Sequence, residues 1–303
     1  MMLDVMDVAV VGDDGSGKET FIGLLYSSQI RYSNENRNKN LFKFYASPLI
    51  MNEITSIYSR LRSGEWPEKS SSTFTEFSVT FRYMSSSGIR LSKFFKKDNT
   101  YTNINLNVYF HGLTELVESI RGMTQSSADA GTIRKLLSSR GVIILIDSSK
   151  LSAGEVTGGY GNDRATAKFV NAIGNSAWFT GNAKQIFLIM IFTKFDNINR
   201  ELFRSNSISE QFPLLTEVEK RKKYCEDLMT KFFPETLAEL KRWYGTVNYT
   251  PVTYFYSSIL TEFDKEGNVV PALKERKGMV GNDIEYSYNE YRALIEYLRA
   301  VEN

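Results

Sequence analysis

Val8-Ala9-Val10-Val11-Gly12-Asp13-Asp14-Gly15-Ser16-Gly17-Lys18-Glu19-Thr20 is the stretch on which the fold turns. Residues 8–11 form an apolar run of strand length and read as a buried strand ending at Gly12. A helical pattern then opens at Gly17 and runs to Ser28, with Phe21, Leu24 and Leu25 on one side. Between the two, glycines let the backbone curl so that successive N–H groups face inward. The helix N-terminus adds its partial positive charge to that concavity. An anion site is the expected result, with the Lys18 ammonium in reach of the anion.

Gly12 to Lys18 fits G-x-x-x-x-G-K, the phosphate-binding loop, and sits where that motif needs to be, after a strand and at the start of a helix. An ordinary glycine-rich turn is the plain alternative. The phosphate-contacting candidates are Asp14, Gly15, Ser16, Gly17, Lys18, Glu19 and Thr20. One position departs from the motif. A Ser or Thr after the lysine would ligate magnesium, and here that residue is Glu19, with Thr20 one later. A carboxylate can hold magnesium but also repels phosphate.

Working outward, residues 30–40 are polar and read as a loop. Ser47 and Pro48 then open a helix that carries Ile50, Ile54, Ile57, Tyr58 and Leu61 and ends at Gly64. Period-two runs at 77–83 and 104–110, with a less regular one at 89–97, predict an antiparallel meander with one wet face. Helices are expected over 113–120, 132–138, 164–173, 216–243 (restarting at Pro234) and 286–301. Gly154, Gly158, Gly159 and Gly161 mark a loop. Apolar strands are expected over 142–146, 186–192 and 251–256, and a small hairpin over 263–270. Apolar strands alternating with helices predict an α/β three-layer fold with a mostly parallel sheet covered on both faces. The meander supplies an antiparallel edge.

The strand over 186–192 runs into Thr193-Lys194-Phe195-Asp196. The stretch resembles the base-specificity element of GTPases, and the resemblance implies a carboxylate that accepts hydrogen bonds from N1–H and the 2-amino group of guanine, neither of which adenine offers. Lys194 would lay its methylene stem along the base. A strand-end turn with solvated Lys and Asp is the alternative. These residues resemble the [N/T]-K-x-D element of the Ras/Arf-like GTPases of the TRAFAC superfamily, and Asp14, Gly17, Lys18 and Thr20 resemble the Arf-like loop G-L-D-x-x-G-K-T-T. By the same resemblance Tyr254-Phe255-Tyr256-Ser257-Ser258 matches the strand leading to the S-A-[K/L] loop, whose backbone N–H groups face the guanine O6. The resemblance implies a G domain binding GTP or GDP with magnesium, with Thr193, Lys194, Asp196, Ser257 and Ser258 at the base.

The switch motifs fray. The family's D-x-x-G falls on Tyr109-Phe110-His111-Gly112, followed by Leu113 where a catalytic Gln often stands. His111 could orient water or be a plain loop histidine. Asp147 closes its strand as a structural residue in the Ras-like order; an ATP-binding P-loop enzyme would use it as the metal-associated acid. The segment from Arg62 to Ser70 resembles the G-x-W-P-x-x-T stretch of prokaryotic double-GTPase-type domains, which places Ser70 at the metal-binding Thr position. The alternative is a polar loop with Trp66 docked on the core. Glu19 and Ser70 are therefore the candidate metal ligands, and no catalytic residue is assigned.

Composition narrows the rest. The formal net charge is +2, from 37 Lys+Arg against 35 Asp+Glu, so no nucleic-acid partner is expected from bulk charge. Cys225 is the single cysteine and permits no internal disulfide, which fits a reducing, cytoplasmic setting. No signal peptide, lipidation motif or apolar span of about 20 residues is read, so no integral membrane segment is expected. Lys220 to Lys223 form a basic run that is either a solvated face or a contact for an acidic partner or anionic membrane. The expectation is one G domain over 1–303, with insertions at about 30–72 and 197–249 that could carry partner binding. Function is expected as a GTP-binding signalling switch or scaffold, with slow or partner-dependent hydrolysis, an unidentified regulatory or effector protein, and room for homo-oligomers.

Overall fold

β1 (Val5–Gly12) lies in the middle of a seven-stranded sheet and is paired parallel on both sides, to β4 (Thr100–Tyr109) and to β5 (Gly141–Asp147). The structure is a computed structural model that describes residues 5–35, 42–67, 76–85, 100–122, 130–151, 159–179, 186–197, 218–244, 252–275 and 282–302. Beyond β5 the sheet continues parallel through β6 (Phe187–Thr193) and β7 (Thr253–Tyr256). Beyond β4 it continues antiparallel through β3 (Glu76–Ser85) and β2 (Phe42–Tyr45). β5 and β6 are buried along their whole length, as strands covered on both faces must be.

Side-chain alternation along β1 divides the core in two. Val8 and Val10 face α1 (Lys18–Glu35), α2 (Pro48–Arg62) and α8 (Tyr288–Glu302). Ala9 and Val11 face α3 (Leu113–Arg121), α4 (Ala130–Ser138), α5 (Gly159–Phe179), α6 (Val218–Phe232) and α7 (Pro234–Tyr244). The result is a three-layer α/β sandwich with an antiparallel edge. No helix among the described residues is long and apolar enough to cross a membrane.

Local rules account for several boundaries. Ser47 accepts the Ile50 N–H and Pro48 occupies the first turn of α2, while Gly64 takes a positive φ of 77° just past its end. α7 restarts at Pro234 because the buried Asp163 carboxylate of α5 accepts the N–H groups of Glu235 (2.9 Å) and Thr236 (2.8 Å). Those are amides that a helix start leaves unpaired. The hairpin of β8 (Thr261–Phe263) and β9 (Val269–Pro271) turns through Gly267 at φ 84°.

Other boundaries depart from expectation. α1 continues through residues 30–35, where a loop was expected. Ile30 and Tyr32 pack against the core, and Arg31 stacks 3.7 Å from the ring centre of Tyr288 on α8. β2 gave no sequence signal. Its four residues are held by ladder bonds to β3 and by Phe44, which meets Phe81 and Tyr26 edge-on at 5.0 and 5.4 Å. The meander is therefore β2–β3–β4; the run at 89–97 lies outside the described residues. The face expected to be wet is a hydrogen-bonded ladder instead. Ser78 bonds Asn107 and Thr80 bonds Asn105, each at 2.6 Å, Arg82 bonds Asn103, and Asn105 and Asn107 both donate to Asp7. Gly159 and Gly161 belong to α5 rather than to a loop. β10 (Leu273–Glu275) and β11 (Asn282–Ile284) form an unexpected two-stranded ribbon.

Candidate functional site

The loop between β1 and α1 curls as its glycines require. Gly15 and Gly17 take φ values of 74° and 82°, which residues with a Cβ rarely adopt. At Gly12 a Cβ would lie 2.4 Å from Ser16 Oγ and 2.9 Å from the Leu145 carbonyl oxygen, so the loop closes tightly on β5. Lys18, the first residue of α1, is 4% exposed and donates to the carbonyls of Gly12 (2.6 Å) and Asp13 (3.1 Å). Burial lowers its pKa, and the carboxylates of Glu19, Asp14 and Asp13 oppose that shift. The hydrogen bonds of this ammonium go to neutral carbonyls, and among the described residues no carboxylate is bonded to it directly. The buried Ser16 Oγ likewise has no hydrogen-bond partner among the described residues. Both features fit a loop that receives phosphate.

The turn after β6 is tied into this loop. The Thr193 hydroxyl lies 2.7 Å from the Ser16 carbonyl oxygen and 3.0 Å from that of Ile146, and one hydroxyl proton serves the two. Lys194 is the one non-glycine residue at positive φ (50°) among the described residues. Such a backbone is uncommon outside turns and functional sites and has to be held by its surroundings. It is held here: Lys194 Nζ donates to Asp147 Oδ2 at 2.8 Å, and the Phe195 N–H donates to the Ser257 carbonyl. The Asp196 carboxylate accepts the Ile259 N–H through Oδ1 at 3.2 Å. Burial raises the Asp196 pKa, with the amides of Asp196 and Ile259 and then the Lys194 charge opposing.

Between these two loops lies a cavity of about 260 Å³. Gly17, Thr20 and Ser149 line it toward the phosphate loop, and Thr193, Lys194, Asp196 and Ser257 line it on the β6–β7 side. Phe21, Trp66 and Ile259 complete its described walls. Asp14 is exposed, and its carbonyl accepts from Lys150 Nζ at 3.1 Å. The amides of Ser257 and Ser258, expected to face a base oxygen, are both used internally. Ser257 N–H donates to the Phe192 carbonyl (2.7 Å) and Ser258 N–H to Ser287 Oγ (3.1 Å). Trp66 is not docked on the core; it is 37% exposed at the cavity. Sequence reasoning also missed Phe21 and Ile259 as cavity walls, because nothing local distinguishes them from core residues.

The end of β4 is different. Tyr109, at the position of the family's aspartate, is fully buried in the core under α3 to α7. Leu113 is 2% exposed, and its N–H donates to Asp13 Oδ1 at 3.1 Å. A Cβ on Gly112 would sit 3.7 Å from both Asp13 Oδ1 and Asp14 Oδ1, so this segment's backbone lies against the phosphate loop. His111 reaches Glu115, one turn along α3, at 3.2 Å.

Magnesium is implied by the resemblance, and Glu19 is the candidate ligand that lies among the described residues. Among them no three His, Cys, Asp or Glu side chains converge on a point that could hold a metal ion. Asp147 is committed: Oδ1 accepts the N–H (3.0 Å) and hydroxyl (2.6 Å) of Ser149, and Oδ2 accepts Lys194. Glu19 sits half-buried in the first turn of α1, and Ser70 lies outside the described residues.

A mostly parallel sheet extended by an antiparallel edge, a phosphate-type loop after β1 and a Thr-Lys-Phe-Asp turn after β6 give the chain a three-layer α/β fold of the P-loop type. No family model matches the chain, and no curated protein matches it. Among solved structures the chain is similar to the signal recognition particle receptor SRb in a GTP/SRX complex from Chaetomium thermophilum. That likeness has 14% identity and a TM-score of 0.37, over 84% of this chain and 91% of that one. It is also similar to the GTP-bound Ski7 GTPase-like domain of S. cerevisiae, at 12% identity and a TM-score of 0.35, over 84% of this chain and 42% of that one.

Proposed function

We propose that the chain binds guanine nucleotide and serves as a small-GTPase-like switch or scaffold whose GTP hydrolysis is slow or depends on a partner. The observation that carries this reading is that one cavity is bordered both by the phosphate-type loop, at Gly17 and Thr20, and by Lys194 and Asp196. A nucleotide spanning it would place its phosphates at the loop amides and Lys18, and its base edge at the Asp196 carboxylate.

The hydrolysis half of the reading follows from the end of β4. Phosphoryl transfer is mostly positioning and charge neutralisation. Where the resemblance wants a carboxylate and a water-orienting side chain, the chain has Tyr109 and Leu113, both buried. A partner or second protomer would have to supply the missing groups. Asp147 with both oxygens engaged favours guanine-nucleotide binding over an ATP-using enzyme built on that acid.

Calorimetry with GDP, GTP, ADP and ATP tests the reading. Guanine nucleotides are expected to bind at least tenfold tighter than adenine nucleotides, which corresponds to about 1.4 kcal/mol. Equal affinity for the two bases would sink it. Phosphate release by the isolated chain is expected to be slow; fast turnover without any added protein would remove the partner-dependence.

A further inference from the structure

Trp66 is an aromatic residue that neither the phosphate loop nor the Thr-Lys-Phe-Asp turn accounts for, yet it lines the same cavity as Lys194 and Asp196. Its position is built by long-range contacts. Arg62, at the end of α2, donates through Nε and a terminal nitrogen to the Asn282 carbonyl of β11, at 3.0 and 2.9 Å. Gly64 then turns the chain at positive φ against Pro271 and Leu273, which a Cβ would approach at 3.7–3.8 Å. Two residues on, the Trp66 indole N–H donates to the Val269 carbonyl on β9 at 2.7 Å. With its polar edge held there, the indole contributes its ring to the cavity.

The β8–β9 hairpin is thereby attached to the cavity at two points. Trp66 holds Val269, and Asp196 holds the N–H of Ile259, two residues before β8 begins. At its base the hairpin is also tied to the β10–β11 ribbon, by the Leu260 N–H on the Glu285 carbonyl (2.8 Å) and the Glu285 N–H on the Ala272 carbonyl (3.1 Å), while most of its residues toward the turn are exposed, Phe263 to 76%. We propose that Trp66 is a nucleotide-contacting wall of this cavity, stacking on the purine, and that the β8–β9 hairpin positions its indole and is steadied in return when the cavity fills. The inference rests on the nucleotide reading. Stacking on an aromatic face suits any purine, so Trp66 supplies affinity while Asp196 supplies the choice of base.

The full chain, Trp66→Ala and Trp66→Phe are titrated with GDP, and with GDP carrying a ribose-linked methylanthraniloyl fluorophore excited through tryptophan. Removing the ring is expected to weaken GDP binding roughly 5- to 100-fold. Trp66→Phe keeps a stacking face and is expected to retain most of the affinity while losing most of the energy transfer. Amide exchange over residues 261–271 is expected to slow on GDP addition in the full chain and not in Trp66→Ala. GDP affinity within twofold of the full chain in Trp66→Ala would overturn the proposal and leave the nucleotide reading intact. A full chain that binds no GDP would overturn both. If Trp66→Ala fails to fold, as judged by its melting curve, energy transfer in Trp66→Phe equal to that of the full chain overturns the proposal.

Discussion

The ends of β6 and β4 are two strand ends facing the same phosphate loop, and they are built in opposite ways. At the end of β6 the polar side chains are spent on the site: Thr193 on the Ser16 carbonyl, Lys194 on Asp147, Asp196 beside Ile259 at the cavity. At the end of β4 the loop is met by backbone, through the Leu113 N–H on Asp13 Oδ1. The side chains turn elsewhere, Tyr109 and Leu113 into the core and His111 onto Glu115. The difference separates two tasks. Recognition of a base needs fixed hydrogen-bonding groups at one strand end. On the proposed reading, hydrolysis would need charges at the other, where Tyr109 and Leu113 are buried.

Restoring the missing carboxylate attacks this comparison most directly. Tyr109→Asp places an ionisable group in a fully buried position, and a loss of more than about 3 kcal/mol is expected in urea denaturation. A stable variant that gained magnesium-dependent turnover would break the contrast. Next in size is Lys18→Ala, which removes the one buried cation of the loop and is expected to weaken GDP binding by on the order of a hundredfold, read by calorimetry.

Asp196→Asn sharpens the base side. Guanine-over-adenine preference is expected to fall roughly tenfold or more, because the amide accepts less strongly and presents N–H groups to guanine donors. The melting temperature is expected not to fall. Burial raises the Asp196 pKa, so the native state holds that proton more tightly than the unfolded chain and ionisation opposes folding above the native pKa. The same direction sets a pH dependence. Base preference is expected to weaken as pH falls through the raised pKa of Asp196, and a preference that shows no pH dependence on the acid side would count against Asp196 as the reader. Smallest is Thr193→Val, which leaves the Ser16 and Ile146 carbonyls without their hydroxyl. A cost of about 1 kcal/mol in stability and faster amide exchange over residues 16–18 are expected.

Much of this was open to a reader of the sequence, for a local reason. β1, β5 and β6 announce themselves as continuous apolar runs because a parallel strand is covered on both faces. Ser47, Pro48, Gly64 and Gly267 mark helix and turn boundaries because the geometry they satisfy lies within a few residues of them. What was missed depends on distant partners. β2 exists because β3 pairs with it, residues 30–35 are helical because α8 supports them, and the polar face of β3–β4 is ordered by bonds to Asp7.

The phosphate loop shows the same division. Sequence alone determined its glycines, its lysine and its seat between a strand and a helix, since all of these are set by neighbouring residues and by the backbone's need for inward-facing N–H groups. Tertiary structure alone decided what the loop was joined to. Thr193 meets Ser16 across 177 positions, and Trp66 meets Val269 across 203. It also decided that Tyr109 belongs to the core. No periodicity or spacing carries that information, because it is created only when separate strands and helices share one interior.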